Sequence, residues 1–241
     1  MGGENQMNRE TTPHSLDDDA VRAIGRKRLA FVACVAALLV VIVFAGWRYV
    51  VARDDQASRA ALMPHVKTAS IYAASIIDIH AHPGSATFGE VFKKVEASLT
   101  EIDKVAIQAR AGTSQANPYL EPSLEYIRDL EEFIRSTDKV VRATFDGSTA
   151  WNRVERVHNM PGDSSYAIEF KLQQIRDAQR DLEKSLADTK TAVKITLLQL
   201  ERIRVQQPWV SQTFGADATI PSASIEALAK RLKDMQATAA K

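Results

Sequence analysis

A run of nineteen apolar residues at 29–47, LAFVACVAALLVVIVFAGW, constrains this chain more than any other feature. At about 1.5 Å per residue, the run and the next few residues match the roughly 30 Å hydrocarbon core of a bilayer. Basic residues precede the run and aromatic residues follow it, as is typical at the lipid headgroup layers. We therefore predict a transmembrane anchor over 29–51, with the bilayer as a partner. The flanking residues are Arg26, Lys27, Arg28, Trp47 and Tyr49.

Two other interpretations of the run are a buried core helix and a cleaved signal peptide. The run is longer than the roughly 7–15 apolar residues of a signal peptide, but Val50-Val51-Ala52 resembles a cleavage site, so cleavage stays open as an alternative.

Within seven residues of the apolar run, four basic residues lie on its amino side and two on its carboxyl side. This asymmetry predicts a cytoplasmic amino terminus and a periplasmic carboxyl domain at a bacterial inner membrane.

The composition excludes several classes of protein. With 31 basic and 30 acidic residues the chain lacks the positive excess of a nucleic-acid-binding protein, so we predict no nucleic-acid partner. A single cysteine excludes an intramolecular disulfide framework and a cysteine-based zinc site. Residues 1–28 are polar and show no apolar periodicity, which indicates a short disordered cytoplasmic tail.

Residues 54–241 show apolar positions at alternating steps of three and four, the pattern of helical bundles and coiled coils. No segment alternates apolar and polar residues as a strand does. We therefore predict an all-α fold: one transmembrane helix followed by an elongated antiparallel helical bundle with a coiled-coil-like character. The fourth helix is predicted at 164–205, roughly 60 Å long, and its neighbours at roughly 40 Å. The predicted loops include 146–163 and 207–221.

The length of the fourth helix predicts a protein interaction, because part of its apolar stripe has no obvious cover within the chain. An exposed stripe of this kind is normally covered by a partner, so we predict a homo-oligomer, a partner helix, or the last helix folding back. Two tryptophans in predicted loops either plug the bundle ends or anchor a partner. The predicted interaction residues are Leu186, Val193, Leu197, Leu200, Ile203, Trp151 and Trp209.

The segment Asp78-Ile79-His80-Ala81-His82 resembles the Asp-x-His-x-His signature of metal-dependent amidohydrolases, in which two imidazoles on a barrel strand bind one metal ion. On a helix, residues two apart point about 200° apart, so His80 and His82 cannot share an ion. We predict that His80 is a partly buried, hydrogen-bonded residue. Asp78 and His82, four residues apart, are the remaining weak candidates for metal ligands.

No other catalytic motif is present, because the chain has no phosphate-binding glycine loop, no nucleophile elbow and no His-Glu-x-x-His. We therefore predict a non-enzymatic protein without a cofactor. The favoured function is an anchored interaction or scaffold protein, an accessory or assembly component of an envelope complex. The alternative is a periplasmic ligand-sensing bundle, similar to the four-helix modules of bacterial transducers, that signals through a separate partner.

Overall fold

In the computed structural model, the described residues are 16–84, 86–160 and 165–238, with side chains described from 39 onward except at 85 and 161–167. Over these residues the chain is helical and contains no strand, which confirms the predicted all-α class. The α-helices are α1 Leu16–Ala81, α2 Phe88–Gly112, α3 Leu120–His158, α4 Ser165–Phe214 and α5 Ser222–Thr238; a short 3₁₀ helix, Ala216–Ala218, precedes α5.

The chain divides into two compact units, 1–55 and 56–241. In the first unit, α1 begins at Leu16, inside the segment 1–28 that the sequence predicts to be a disordered tail. Residues 1–15 of that segment lie outside the described residues.

Among the described residues, no helix is long and apolar enough to cross a membrane. The predicted span begins at 29, and its positions 29–38 lie outside the residues whose side chains are described.

The helices α3 and α4 are longer than predicted. The predicted loop 146–163 is helical to His158, so α3 has 39 residues and a length of about 58 Å instead of 40 Å. The predicted loop includes Gly147, which lies inside α3. A Cβ on Gly147 would lie 2.6 Å from Ser185 Oγ of α4. This glycine therefore permits the close approach of two helices, and Ser185 Oγ donates a 2.5 Å hydrogen bond to the Ala143 carbonyl.

The predicted loop 207–221 is also partly helical, because α4 continues through Pro208 to Phe214. Proline removes one main-chain hydrogen bond from a helix but does not always end it. The helix ends instead before Gly215, whose φ of 94° lies in the region that glycine tolerates. At the other end of the bundle, Thr87 and Glu90 form a reciprocal capping box that starts α2.

In the second unit, the helices alternate in direction. Ser185 of α4 contacts Ala143 of α3, whereas Gln206, further along α4, donates a 2.8 Å hydrogen bond to Asp129. The helices α3 and α4 are therefore antiparallel. The carboxyl-terminal part of α1 runs parallel to α3, because Asn117 bonds to Ser58 and Tyr126 bonds to Ser70.

One apolar core joins all five helices of the second unit. Its largest fully buried side chains are Leu62, Val66, Ile76, Ile77, Ile102, Tyr126, Ile127, Leu130, Phe133, Ile134, Ile203 and Leu228. Burial of such side chains contributes roughly 1.5–3 kcal/mol each, which makes this core the main source of stability.

A buried polar network crosses the core at Tyr126. Its hydroxyl lies 3.0 Å from Ser70 Oγ of α1 and accepts a 3.1 Å hydrogen bond from Gln207 Nε2 of α4. Gln207 Oε1 accepts a 2.9 Å bond from the main-chain N–H of Ile220. Burial raises the pKa of the Tyr126 phenol. The network fixes the register of α1, α3 and α4, since a buried polar group without a partner is costly.

Candidate functional site

The predicted interaction residues in the carboxyl half of α4 are covered within the chain. Val193, Leu200 and Ile203 are buried, and Leu197 is partly buried against the same core. The long α3 and the helix α5 supply the cover, since Leu228 and Leu232 of α5 belong to the same core. These residues hold the bundle together and leave little surface for another chain.

Leu186 differs from these residues, because 46% of its surface is exposed. It lines a groove of about 450 Å³ between α3, α4 and α5. The polar stripe residue Thr189 lines the same groove, together with Arg231 and Met235 of α5. In this groove the predicted stripe meets solvent beside a third helix, α5.

Both predicted tryptophans lie in helices, so their assignment to loops is wrong. Trp209 lies in α4, is partly buried and packs edge-on against Phe214 with ring centroids 5.6 Å apart. Trp151 lies in α3 and is 59% exposed, which excludes a role as a plug. The predicted loops 146–163 and 207–221 contain these tryptophans, but α3 and α4 continue into the two segments.

Trp151 belongs to a hairpin tip, which we define as residues 148–158 of α3 and 168–181 of α4. Three of its side chains are buried, those of Ala150, Val157 and Ala178. An ion pair of 2.8 Å between Arg153 and Asp181 also joins the two helices. Four large apolar side chains of the tip are exposed, those of Trp151, Ile168, Phe170 and Leu172, whereas Val154 and Ile175 are half-buried.

Ile168 and Leu172 belong to the pattern of apolar residues at steps of three and four, and that pattern does not show that they are exposed. The predicted helix lengths did indicate this exposure. Ile168 and Leu172 lie on the part of the fourth helix that extends beyond its predicted shorter neighbours, so no neighbouring helix was available to cover them. Ile168 and Leu172, four residues apart, share one face of α4, whereas Phe170 lies about 200° from each of them. An exposed apolar face of this kind is typical of interaction sites.

The predicted anchor residues with described side chains, Trp47 and Tyr49, are exposed on α1 in the first unit. The ring centroids of Trp47 and Phe44 are 6.1 Å apart, and the Arg48 Cζ atom lies 5.5 Å from the centroid of the Phe44 ring. The side chains of Arg26, Lys27 and Arg28 lie outside the described residues.

The two candidate metal ligands, Asp78 and His82, are exposed and adjacent, with Oδ1 of the first 3.4 Å from Nδ1 of the second. In the part of the chain that the structure describes, no group of three or more His, Cys, Asp or Glu side chains is arranged to hold a metal ion. The pair is therefore an exposed contact at the end of α1.

His80 has a different environment from His82. Its Nδ1 lies 2.8 Å from the Ile76 carbonyl, so Nδ1 carries the proton and donates. Within the described residues, Nε2 is buried and has no hydrogen-bond partner. Burial lowers the pKa of the ring, so the imidazole is neutral at neutral pH and Nε2 is an acceptor. An unpaired buried acceptor costs roughly 1–3 kcal/mol. Nε2 is one of six buried side-chain nitrogen or oxygen atoms without a hydrogen-bond partner in the described residues.

His80 lines a cavity of about 180 Å³ where the end of α1 meets the start of α2, the middle of α3 and α5. Most of the lining is apolar, including Ile79, Val140 and Leu228. Arg231 of α5 is the charged residue of the lining, and its Nη1 donates a hydrogen bond to the His80 carbonyl. Burial lowers the pKa of this guanidinium, although arginine stays charged at any physiological pH.

No protein-family model matches the chain, and no curated protein or solved structure is similar to it. The geometry of the two sites, the hairpin tip and the His80 cavity, is thus the basis for a functional proposal.

Proposed function

We propose that this chain is a single-pass inner-membrane protein whose periplasmic bundle associates with a second copy of itself through the hairpin tip. In this role it is an interaction or scaffold component of an envelope complex, as the apolar run 29–47 and the flanking charges favour. The observation that carries the proposal is the exposure of Ile168 and Leu172 on one face of α4, together with the exposed Trp151 on the neighbouring helix of the hairpin tip.

A second copy fits the tip for two reasons. Two antiparallel helices bury one stripe against each other and leave a second face free, so two such tips complete a four-helix arrangement. The tip carries five basic and four acidic residues, a net charge of +1, so it presents no strong electrostatic barrier to its own copy. Identical surfaces form closed twofold dimers, the commonest oligomers.

Cross-linking in intact spheroplasts tests the orientation and the association together. The native Cys34 is replaced by Ala and Trp151 by Cys, and a membrane-impermeant bifunctional maleimide is added. We expect labelling of Cys at 151 and a cross-linked dimer, because the tip is outside the cytoplasm and faces its copy. The matched control is Leu198→Cys on α4, which is also 59% exposed but lies on the bundle, and should label without cross-linking.

The outcomes separate the parts of the proposal. Absence of labelling at both positions, with labelling restored after lysis, contradicts the periplasmic orientation. Labelling at 151 without a dimer contradicts self-association. Cross-linking at 151 only to a different protein would identify a heteromeric partner instead.

The ligand-sensing alternative is favoured by a separate observation, the cavity beside His80. This cavity of about 180 Å³ has a mostly apolar lining with His80 and Arg231 among it, and small-molecule sites likewise combine apolar walls with a few polar groups.

A further inference from the structure

A mostly apolar seam runs along the amino-terminal half of α4, beside the face that α3 covers. Its members recur at alternating steps of three and four, so they share one side of the helix. The buried Ala178 and the buried Ser185, which bonds to α3, lie on a face about 100° away around the helix axis. Ile175 and Leu182 of the seam are half-buried, and its other members are exposed. We call it the free seam; its residues are Ile168, Leu172, Ile175, Gln179, Leu182 and Leu186.

Trp151 of α3 lies on the same side of the hairpin tip as the free seam. It follows the buried Ala150 by one residue, about 100° around α3, just as Gln179 follows the buried Ala178 on α4. Because the two helices are antiparallel and their buried faces meet, equal rotations away from those faces turn Trp151 and Gln179 to the same side. Two helices with free faces at about a right angle to their shared contact form half of a four-helix arrangement.

Charged residues follow the free seam at intervals of one heptad, on the flank that points away from α3. In order along α4 they are acidic, basic, acidic and basic: Glu169, Arg176, Glu183 and Lys190. All of them are exposed, and within the part of the chain that the structure describes none of them forms an ion pair. Charges at such flanking positions set the orientation and the register of paired helices.

An antiparallel pair of α4 helices brings these opposite charges together in one register. With a twofold axis level with Arg180 and Asp181, Arg176 of one copy lies beside the partner's Glu183, and Glu169 lies beside the partner's Lys190. The symmetry repeats both contacts. The ion pair between Arg153 and Asp181 places Trp151 near the same level, so the two Trp151 side chains also lie close to the axis.

Other pairings bring like charges together. A shift of one heptad toward the amino end of α4 sets Arg176 beside the partner's Arg176. The opposite shift sets Glu183 beside the partner's Glu183. In a parallel pair, the flanking residue that faces Arg176 is the partner's Lys171. Facing like charges destabilise a helix pair, so the alternation of charge selects the antiparallel register.

We propose that two copies of the chain associate by antiparallel packing of their free seams about this axis. The proposal rests on the self-association proposed above and adds its orientation and register. Ile175 packs against the partner's Leu186, and Gln179 packs against the partner's Leu182. The partner's Leu172 then lies at the open groove between α3, α4 and α5 that Leu186 and Thr189 line.

Charge reversal tests the register on the full chain in detergent, with the dimer dissociation constant measured by sedimentation equilibrium at low salt, where exposed ion pairs are least screened. Arg176→Glu and Glu183→Arg should each weaken the dimer about tenfold, because two attractive contacts become repulsive. The double variant Arg176→Glu/Glu183→Arg should recover the wild-type value to within about twofold. The control Lys184→Glu changes an exposed charge on the far side of α4 and should leave the dissociation constant unchanged.

Cysteine cross-linking in membranes tests the orientation. In a Cys34→Ala background, Gln179→Cys should form a dimer with a short bifunctional maleimide, since the two copies of this position are offset by about 5 Å along the axis. Leu172→Cys should not, because its two copies are about 25 Å apart along the axis. Both positions are exposed, so neither substitution removes a core side chain.

The outcomes distinguish this inference from the self-association on which it rests. A wild-type dimer that the single reversals leave unchanged, or that the double variant fails to restore, overturns the register but leaves self-association intact. Cross-linking at both 172 and 179 overturns the antiparallel orientation in favour of a parallel pair, and cross-linking at 172 alone overturns the position of the axis. The absence of any wild-type dimer contradicts the register and the self-association together.

Discussion

The five-helix bundle and the hairpin tip are built from the same two long helices but differ in what covers them. In the bundle, α3 buries Tyr126, Ile127, Leu130 and Phe133 completely. In the tip, the same helix buries only Ala150 and Val157 among its described positions 148–158. The apolar periodicity is similar in both regions, so periodicity alone does not decide burial; the number of neighbouring helices does.

The boundary between the regions lies near Gly147 and Ser185. Here the two helices approach closely, and the Ser185 hydroxyl donates a hydrogen bond to the α3 main chain. The groove lined by Leu182 and Leu186 on α4 and Met235 on α5 lies beside this contact. Past it, α3 and α4 have mainly each other as neighbours, and a local opening of the tip should be easier than one of the bundle.

The difference in packing between the bundle and the tip is tested most directly by the same substitution at two positions on α4. Leu200 is 2% exposed in the bundle, and Leu172 is 48% exposed in the tip. We expect Leu200→Asp to lower the free energy of unfolding by about 3–5 kcal/mol, because it buries an unpaired carboxylate and loses apolar burial. Leu172→Asp should change it by less than about 0.5 kcal/mol.

Urea unfolding of the full chain in detergent, followed by circular dichroism, measures both values. Equal losses at the two positions would mean that the tip is as well packed as the bundle. A loss of dimer in Leu172→Asp at unchanged unfolding free energy would instead support the proposed interface.

The helical class was predictable because a stripe at steps of three and four is a strong local signal, and Leu200 and Ile203 are buried as that stripe requires. The helix lengths were not predictable, because Gly147 and Pro208 are usual signs of a helix end and act otherwise here for tertiary reasons. Trp151 and Trp209 were misplaced for the same reason. Partial burial and a main-chain hydrogen bond of His80 followed from its position on the stripe.

The cavity itself was beyond sequence reasoning. Arg231 and His80 are 151 residues apart, and no local pattern connects them. Nor does the sequence show that Nε2 is left without a partner, since that depends on which side chains surround it.

A second prediction tests how much the polar network stabilises the bundle, by removing the hydroxyl oxygen of Tyr126 from the core. Tyr126→Phe should lower the free energy of unfolding by about 1–3 kcal/mol, because Ser70 Oγ and Gln207 Nε2 lose their shared partner. Ser70→Ala should cost less, since the hydroxyl keeps its bond to Gln207. Urea titrations of both variants and of the double variant give the coupling; a value of zero would show that the Tyr126–Ser70 bond contributes nothing.

The smallest expected effect is a pH dependence from His80. Its pKa in the folded chain lies below the ordinary value of 6.5 because of burial, with Arg231 lowering it and Asp138 raising it. The unfolded chain therefore binds a proton first as the pH falls. The stability contribution of the neutral ring is complete above about pH 6.5, declines below it, and levels off once the pH has passed the folded pKa.

Unfolding midpoints between pH 8 and pH 5 measure this decline. His80→Gln should flatten the part of the profile that begins near pH 6.5, whereas His82→Gln at the exposed position should leave it in place. A profile that is identical in the wild type and in His80→Gln would show that the ring is not desolvated in the folded chain.

The bond from Arg231 to the His80 carbonyl also has a consequence for biosynthesis. The residue that completes the end of α1 follows its partner by 151 positions in the sequence. At roughly 5–20 residues per second, about 8–30 s separate the synthesis of the two groups. During this interval Leu62, Val66 and Ile76 have left the ribosome while α5 does not yet exist. Ribosome-bound or translocating chains that stop before 222 should therefore be bound by holding chaperones, and release should coincide with the appearance of the last helix.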